Sequence, residues 1–282
     1  MKLLLIIVFI TNSFLSAQLI EEYEFGNFNS ANSFSIAPTG FVYISDDQSN
    51  EVYKYSLQGK KLGSVGGYGW EIESFDLPVD VFANTLNIYI ADFNNNRIQF
   101  FDKDLNFISV LPSRSNNSNS VEFYYPKAVQ VSNLGDFFIL ESDNNSILKF
   151  DLNGRFKLTI GGYDAGKFGL NSPADFAIIN DLLLGIIDGK RFVLLDQFGN
   201  GLQILELDFQ PISVSAHENL FIANSNNTVM EIEIKNNLIA GTKYLIDGNN
   251  KFRIVEARKH KEQLLLLLKN EIIVFKYPKK SK

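Results

Sequence analysis

Three stretches of the chain can be laid over one another: VYISDDQSNEVYKYSLQGK from Val42, IYIADFNNNRIQFFDKDLN from Ile88 and FFILESDNNSILKFDLNGR from Phe137. Each runs from an apolar strand through a tip of Asp, Asn and Ser into an alternating strand, which is the pattern of a β-hairpin. Fainter copies begin at Leu182, Leu220 and Leu264, so the unit occurs six times, at spacings of 38 to 49 residues. A repeat of this length confines the chain to an array in which each unit buries its apolar face against the next.

Each hairpin is preceded by another short strand, introduced by proline in LPVDVFA (Pro78), YPKAVQV (Pro126), SPADFAI (Pro173) and QPISVSA (Pro211), with NSFSIA and KFRIVEA in that place in the first and sixth units. A further strand follows most hairpins, as in KKLGSVGG, NFISVL, FKLTIGG, LQILELD and AGTKYLI. Four short strands per period make a propeller blade, and the 25 Phe and 11 Tyr suit strands better than helices. The expected fold is therefore all-β, a six-bladed β-propeller. Its blades are expected at about 27-69, 78-112, 126-162, 173-208, 211-246 and 252-277. The sixth unit stops one strand short, while QLIEEYEFG at 18-26 belongs to no preceding blade. That N-terminal strand is expected to complete the last blade and close the ring, which removes two exposed sheet edges.

The units resemble NHL repeats, whose pattern is a proline, a short strand, a strand ending in Ala-Asp, an Asn-Arg-Ile turn and a strand closing on an Asp-x-x-Gly turn. The second unit, Pro78 through Asp102, matches nearly throughout. The first and third keep much of the pattern, and the last three rest on periodicity. The resemblance implies an NHL-type propeller over the whole of 18-282. A propeller hosts many unrelated activities, so it implies no one function.

The first residues, MKLLLIIVFITNSFLSAQ, carry one lysine, an apolar run from Leu3 to Ile10 and small residues at Ser16 and Ala17. This is the layout of a signal peptide over 1-17, with an apolar run well short of the roughly 20 residues a membrane-spanning helix needs. The mature protein is expected to be extracytoplasmic, periplasmic or secreted. The chain has no cysteine, which excludes disulfides, thiolate metal sites and cysteine nucleophiles. A net charge of −6 argues against nucleic acid as a partner.

In a propeller, the turns between second and third strands share a face with the connections between blades. That face is expected to carry long connections from Gly66, Pro112 and Gly161, an asymmetric rim over the first four blades. The rim concentrates Tyr68, Trp70 (the sole tryptophan), Phe75, Phe123, Tyr124, Tyr125, Tyr163 and Phe168, of which Phe75 and Phe168 are expected to plug blade junctions. The expected ligand contacts are Tyr68, Trp70, Arg97, Tyr124, Tyr125, Tyr163 and Arg191, where rings supply area and polar groups fix orientation. The ligand expected is a protein, peptide or carbohydrate bound by a monomer without cofactor or metal.

Other motifs fail on inspection. GSVGGYG at 63-69 lacks a following helix and recurs as TIGGYDAG, so it is a connection between blades and not a phosphate loop. Asp92, Asn94 and Asn96 begin like a calcium loop, but Arg97 and Lys103 stand where glycine and glutamate are needed. With only His217 and His260, expected on the opposite face, a histidine-rich metal centre is not available. No catalytic residue is assigned. The alternative is a carboxylate- or metal-dependent hydrolase or lyase of the gluconolactonase-like propeller type, using Asp46, Asp92, Glu141 or Asp188. The simpler reading of those four acids is that they hold turns.

Overall fold

The computed structural model describes residues 19-112, 121-162, 165-180, 182-235, 238-245 and 253-277. The expected signal peptide at 1-17 and the basic tail after Tyr277 lie outside them. The first strand, β1 (Ile20–Phe25), stands ahead of the blades. Blade 1 is β2 (Ala31–Ile36), β3 (Phe41–Asp46), β4 (Glu51–Ser56) and β5 (Lys61–Gly66). Blade 2 is β6 (Pro78–Ala83), β7 (Asn87–Asp92), β8 (Arg97–Asp102) and β9 (Phe107–Pro112). Blade 3 is β10 (Pro126–Val131), β11 (Phe137–Glu141), β12 (Ser146–Phe150) and β13 (Phe156–Ile160). Blade 4 is β14 (Pro173–Ile179), β15 (Leu183–Asp188), β16 (Arg191–Asp196) and β17 (Gly201–Glu206). Blade 5 is β18 (Ser213–His217), β19 (Leu220–Asn224), β20 (Thr228–Lys235) and β21 (Leu238–Leu245). Blade 6 is β22 (Glu256–His260), β23 (Gln263–Leu267) and β24 (Ile272–Lys276).

Each blade is an antiparallel meander, and β1 pairs with β24 to complete the sixth four-stranded sheet. The protein is thus a six-bladed β-propeller closed by its own N-terminal strand. Second strands such as VYIS, IYIA and FFIL are apolar on both faces because each blade is sandwiched between two others. The outermost strands β5 and β9 alternate exposed and half-buried residues, since only one of their faces meets a neighbour. The core is divided among the junctions: Phe34, Ile44, Leu265 and Val274 lie between blades 6 and 1, Val81, Ile90 and Phe101 between 1 and 2, and Phe176, Leu184 and Val193 between 3 and 4.

Phe75 is fully buried in the junction of blades 1 and 2, and Phe168 packs half-buried against that of blades 3 and 4. Phe123 is also buried, between blades 2 and 3, so it is a plug and not a rim group. The second-strand acids tie the incoming connections down. Asp46 accepts from the amides of Asn29 (2.6 Å) and Ser30 (3.0 Å), Asp92 from that of Asp76 (2.8 Å), and Asp188 from those of Asn171 (3.1 Å) and Ser172 (2.7 Å). Glu141 accepts from the amides of Asp143 and Asn144, both at 3.0 Å, and caps its own turn. All four are turn holders whose acceptor oxygens meet backbone donors.

Candidate functional site

The innermost strands surround an axial channel, and in four of the six a bulge lies beside the residue turned into it. In β2, β6, β10 and β14 the register shifts at Ala31/Ser33, Pro78/Asp80, Pro126/Ala128 and Pro173/Asp175. An extra residue at such a point re-aims the side chains beside it. Near the start of the six inner strands stand Ser33, Asp80, Ala128, Asp175, Ser213 and Glu256 around the ring, the first four third in their strands and the last two opening theirs. Acids therefore occupy blades 2, 4 and 6. They floor a cavity of about 320 Å³ whose collar includes Asn32, Val79, Phe93, Lys127, Ile212 and Val255. Phe93 belongs to the β7–β8 turn, so the cavity opens on the face that carries the long connections. Room for roughly ten waters, at about 30 Å³ each, is at the lower end of small-ligand pockets.

Each acid joins its blade to the following one. Asp80 accepts from the Val129 amide (2.8 Å), Asp175 from the Val214 amide (2.9 Å), and Glu256 from the Phe34 amide (2.8 Å) across the closing junction. Inner strands of neighbouring blades do not form a ladder, so these amides need side-chain acceptors. The Ser33 hydroxyl lies 2.7 Å from Asp80 Oδ1 and 3.1 Å from Glu256 Oε2. A hydroxyl carries one proton, so both contacts are hydrogen bonds only when one of the two carboxyls is itself protonated.

One guanidinium serves this floor: Arg258 Nη2 lies 2.6 Å from Glu256 Oε1. Burial pushes the carboxyls of Asp80 and Glu256 up, and the positive charge of Arg258 draws both back down. Asp175, which retains some surface towards the cavity, is pushed up to about 8, first by desolvation and then by the charges of Asp80 and Glu256. Lys127 is the cation at the mouth, and its ammonium donates to the Pro173 carbonyl (3.3 Å). Among the described residues, no group of three or more His, Asp or Glu is arranged to hold a metal ion.

On the rim, Arg97 is turned inward. Its Nε donates to Asp92 (2.7 Å), Nη1 to the Trp70 carbonyl (2.7 Å), and Nη2 to the carbonyls of Glu71 (2.9 Å) and Ser74 (2.8 Å). Gln99 and Asn95 add bonds to Ser74 (2.7 Å) and Gly69 (2.8 Å). The connection can leave β5 because Gly66 has φ +133°, where a Cβ would lie 2.4 Å from the Asn50 carbonyl oxygen. So fixed, the connection still leaves Trp70 74% and Tyr68 73% exposed, with Ile72 exposed beside them. Arg191 repeats the clamp in blade 4, donating to the carbonyls of Lys167 (3.2 Å) and Gly169 (2.9 Å) and to Asp188. Tyr125 is exposed and its ring lies tilted against Phe93 with ring centres 5.2 Å apart, while the Tyr124 hydroxyl donates to Glu122. Tyr163 lies outside the described residues.

The structure therefore groups Tyr68 and Trp70 on one loop, joins Tyr125 to the cavity through Phe93, and assigns Arg97 and Arg191 to loop support. His217 and His260 end β18 and β22 on the opposite face, and burial lowers the pKa of both. Sequence reasoning missed Asp80, Asp175 and Glu256. The available signal was an acid at the third place of an otherwise apolar inner strand, as in PVD and PAD.

Neither a protein-family model nor a curated protein sequence matches the chain. Solved structures do. A streptogramin B lyase is similar at 14% identity and a TM-score of 0.63, over 91% of this chain and 97% of the lyase. Virginiamycin B lyase from Staphylococcus aureus is similar at 14% identity and a TM-score of 0.59, over 91% of this chain and 99% of that one. A chain of a nidogen/laminin complex is similar at 14% identity and a TM-score of 0.62, over 80% of this chain and 83% of that one. At these identities the likeness is one of fold, shared by an enzyme and a member of a protein complex.

Proposed function

We propose that the chain is an exported NHL-type propeller acting as a non-catalytic binding module, with its binding site on the long-connection face. The observation that carries this is the loop at 67-75. Three side chains, those of Arg97, Gln99 and Asn95, hold it in place, yet it presents Trp70 and Tyr68 to solvent. A loop ordered with its large rings facing outward makes a preformed contact surface, because rigid aromatics bury area at little entropic cost. The channel acids favour binding over the hydrolase or lyase alternative, since each is engaged by the next blade's amide.

Trp70 is the sole tryptophan and reports on its own loop. Titrations of glycan and peptide panels followed by its fluorescence should identify the ligand, and Tyr68→Ala with Trp70→Ala should then weaken binding, measured calorimetrically, by about 2 kcal/mol or more. The melting temperature should barely move, as exposed positions cost little. Unchanged affinity in the double variant would remove the rim from the site.

Export rests on the leader at 1-17. N-terminal sequencing of the protein recovered from outside the cytoplasm should begin at Gln18, and a full-length cytoplasmic product would contradict it.

A further inference from the structure

Directly before its floor residue, each blade contributes one residue to the collar of the central recess: Asn32, Val79, Lys127, Ala174, Ile212 and Val255. Four of the six are apolar, Phe93 adds a ring, and Lys127 is the one charged group among them. The floor beneath is balanced. The bridging Ser33 hydroxyl requires a proton on Asp80 or Glu256, and the carboxylate left over is matched by Arg258. Asp175 is uncharged at neutral pH. Lys127 therefore carries the uncompensated charge of the recess. Among the described residues no carboxylate pairs with it, and its hydrogen bond of 3.3 Å to the Pro173 carbonyl leaves two N–H groups unused. That bond also brings the ammonium over β14, the strand of Asp175, where a second donor waits. The Asp175 carboxyl and the Ser213 hydroxyl hold two protons but share one hydrogen bond (2.9 Å), so one proton has no described acceptor.

We propose that the recess binds a small organic monocarboxylate, its carboxylate held by Lys127 and the Asp175–Ser213 pair and its hydrocarbon body lying against Val79, Phe93, Ile212 and Val255. This site is separate from the loop at 67-75, no residue of which lines the recess, and it goes beyond the binding-face reading. Three features set the class of ligand. The groups that lack partners are donors, and a carboxylate offers acceptors alone. One uncompensated positive charge matches one negative charge, whereas a dianion such as phosphate would leave a surplus away from bulk water. The collar is mostly apolar, and a cavity of about 320 Å³ takes about ten non-hydrogen atoms at the roughly 30 Å³ of a water, so the body is a short hydrocarbon.

Calorimetry on the purified protein compares 4-methylpentanoate with its neutral amide and with the amine of the same carbon skeleton. At about pH 6.5 the carboxylate should bind saturably, and the amide and amine at least about tenfold more weakly. Lys127→Gln should weaken carboxylate binding by about tenfold or more with circular dichroism unchanged. Lys60→Gln makes the same change in charge at an exposed lysine of the β4–β5 turn, on the opposite face, and should leave affinity unaltered. Raising the pH to about 9 ionises Asp175, which faces Asp80 and Glu256 on the floor and Lys127 at the collar, with Arg258 beyond Glu256. A donor is lost and a negative charge gained, so affinity should fall about tenfold. Asp175→Asn keeps an N–H donor without the charge, and its affinity should stay level across that range. Absence of saturable carboxylate binding, equal binding of the amide or the amine, indifference to Lys127→Gln, or a wild-type affinity level to about pH 9 would each overturn the proposal. None of these results bears on the loop at 67-75, which Trp70 fluorescence tests separately.

Discussion

Raising the pH from about 5 to about 9 should destabilise the ring, and Asp175→Asn should abolish much of that loss. Asp175 has an ordinary carboxyl value of 3.8 when unfolded and about 8 in the channel. Between those values the native state holds a proton that the unfolded chain has released, so stability falls as pH rises and the loss is complete above about 8. At about 1.4 kcal/mol per pH unit, discounted for the surface Asp175 keeps towards the cavity, the difference is on the order of 3 to 5 kcal/mol. Asp80 and Glu256 shift the same way through burial. Asp102, Asp104 and Asp151, held low by bonds to Asn106, Lys103 and Arg155 respectively, act oppositely and lose their contribution only in acid. The amide of Asn reproduces the neutral carboxyl. The two proteins should therefore melt within a few degrees of each other at about pH 5, with the variant roughly 5–10 °C higher at about pH 9. Parallel melting curves across that range would show that Asp175 is ionised in the native channel.

Removing residues 19-25 should lower the melting temperature of the propeller by roughly 10 °C or more. These residues contain all of β1, whose ladder with β24 runs from Ile20↔Lys276 to Phe25↔Ile272. Phe25 is buried against Phe28 and Tyr55, and the Tyr23 hydroxyl donates to the Leu57 carbonyl (2.8 Å), which ties blade 6 to blade 1. Loss of a buried phenylalanine alone costs about 3 kcal/mol or more. The deletion also bares the edge of β24, with Ile272 and Val274 behind it, so light scattering should rise on heating. A melting temperature within a degree or two of the intact protein would mean that the strand is dispensable for closure.

The blades could be read from the chain because their signals are local. Pro78, the Ala91-Asp92 strand end, the turn to Arg97 and the alternation of Ile98 and Phe100 all fall within one unit. Hydrophobic period and turn chemistry act over such distances. Asp92 as a turn holder was legible for the same reason, its partners being the Asp76 amide, Asn95 and Arg97. The direction of Arg97 was not. An arginine at the start of a strand can reach outward to a ligand or back over the preceding connection, and the open carbonyls of Trp70, Glu71 and Ser74 decided the matter. Phe123 was misplaced because an aromatic in a long connection reads alike whether it faces solvent or fills a junction.

The sequence by itself determined that this chain makes six similar sheets, that its second strands are buried on both faces, and that its first strand completes its last blade. Each follows from alternation, proline placement and an unpaired strand at either end. Only the tertiary structure decided that Asp80, Asp175 and Glu256, far apart along the chain, meet at the floor of one cavity, and that Trp70 stays in solvent while Arg97 turns inward. The physical reason is that closing the ring is a non-local act. It brings like charges together at a cost in desolvation and repulsion that no forty-residue unit experiences alone.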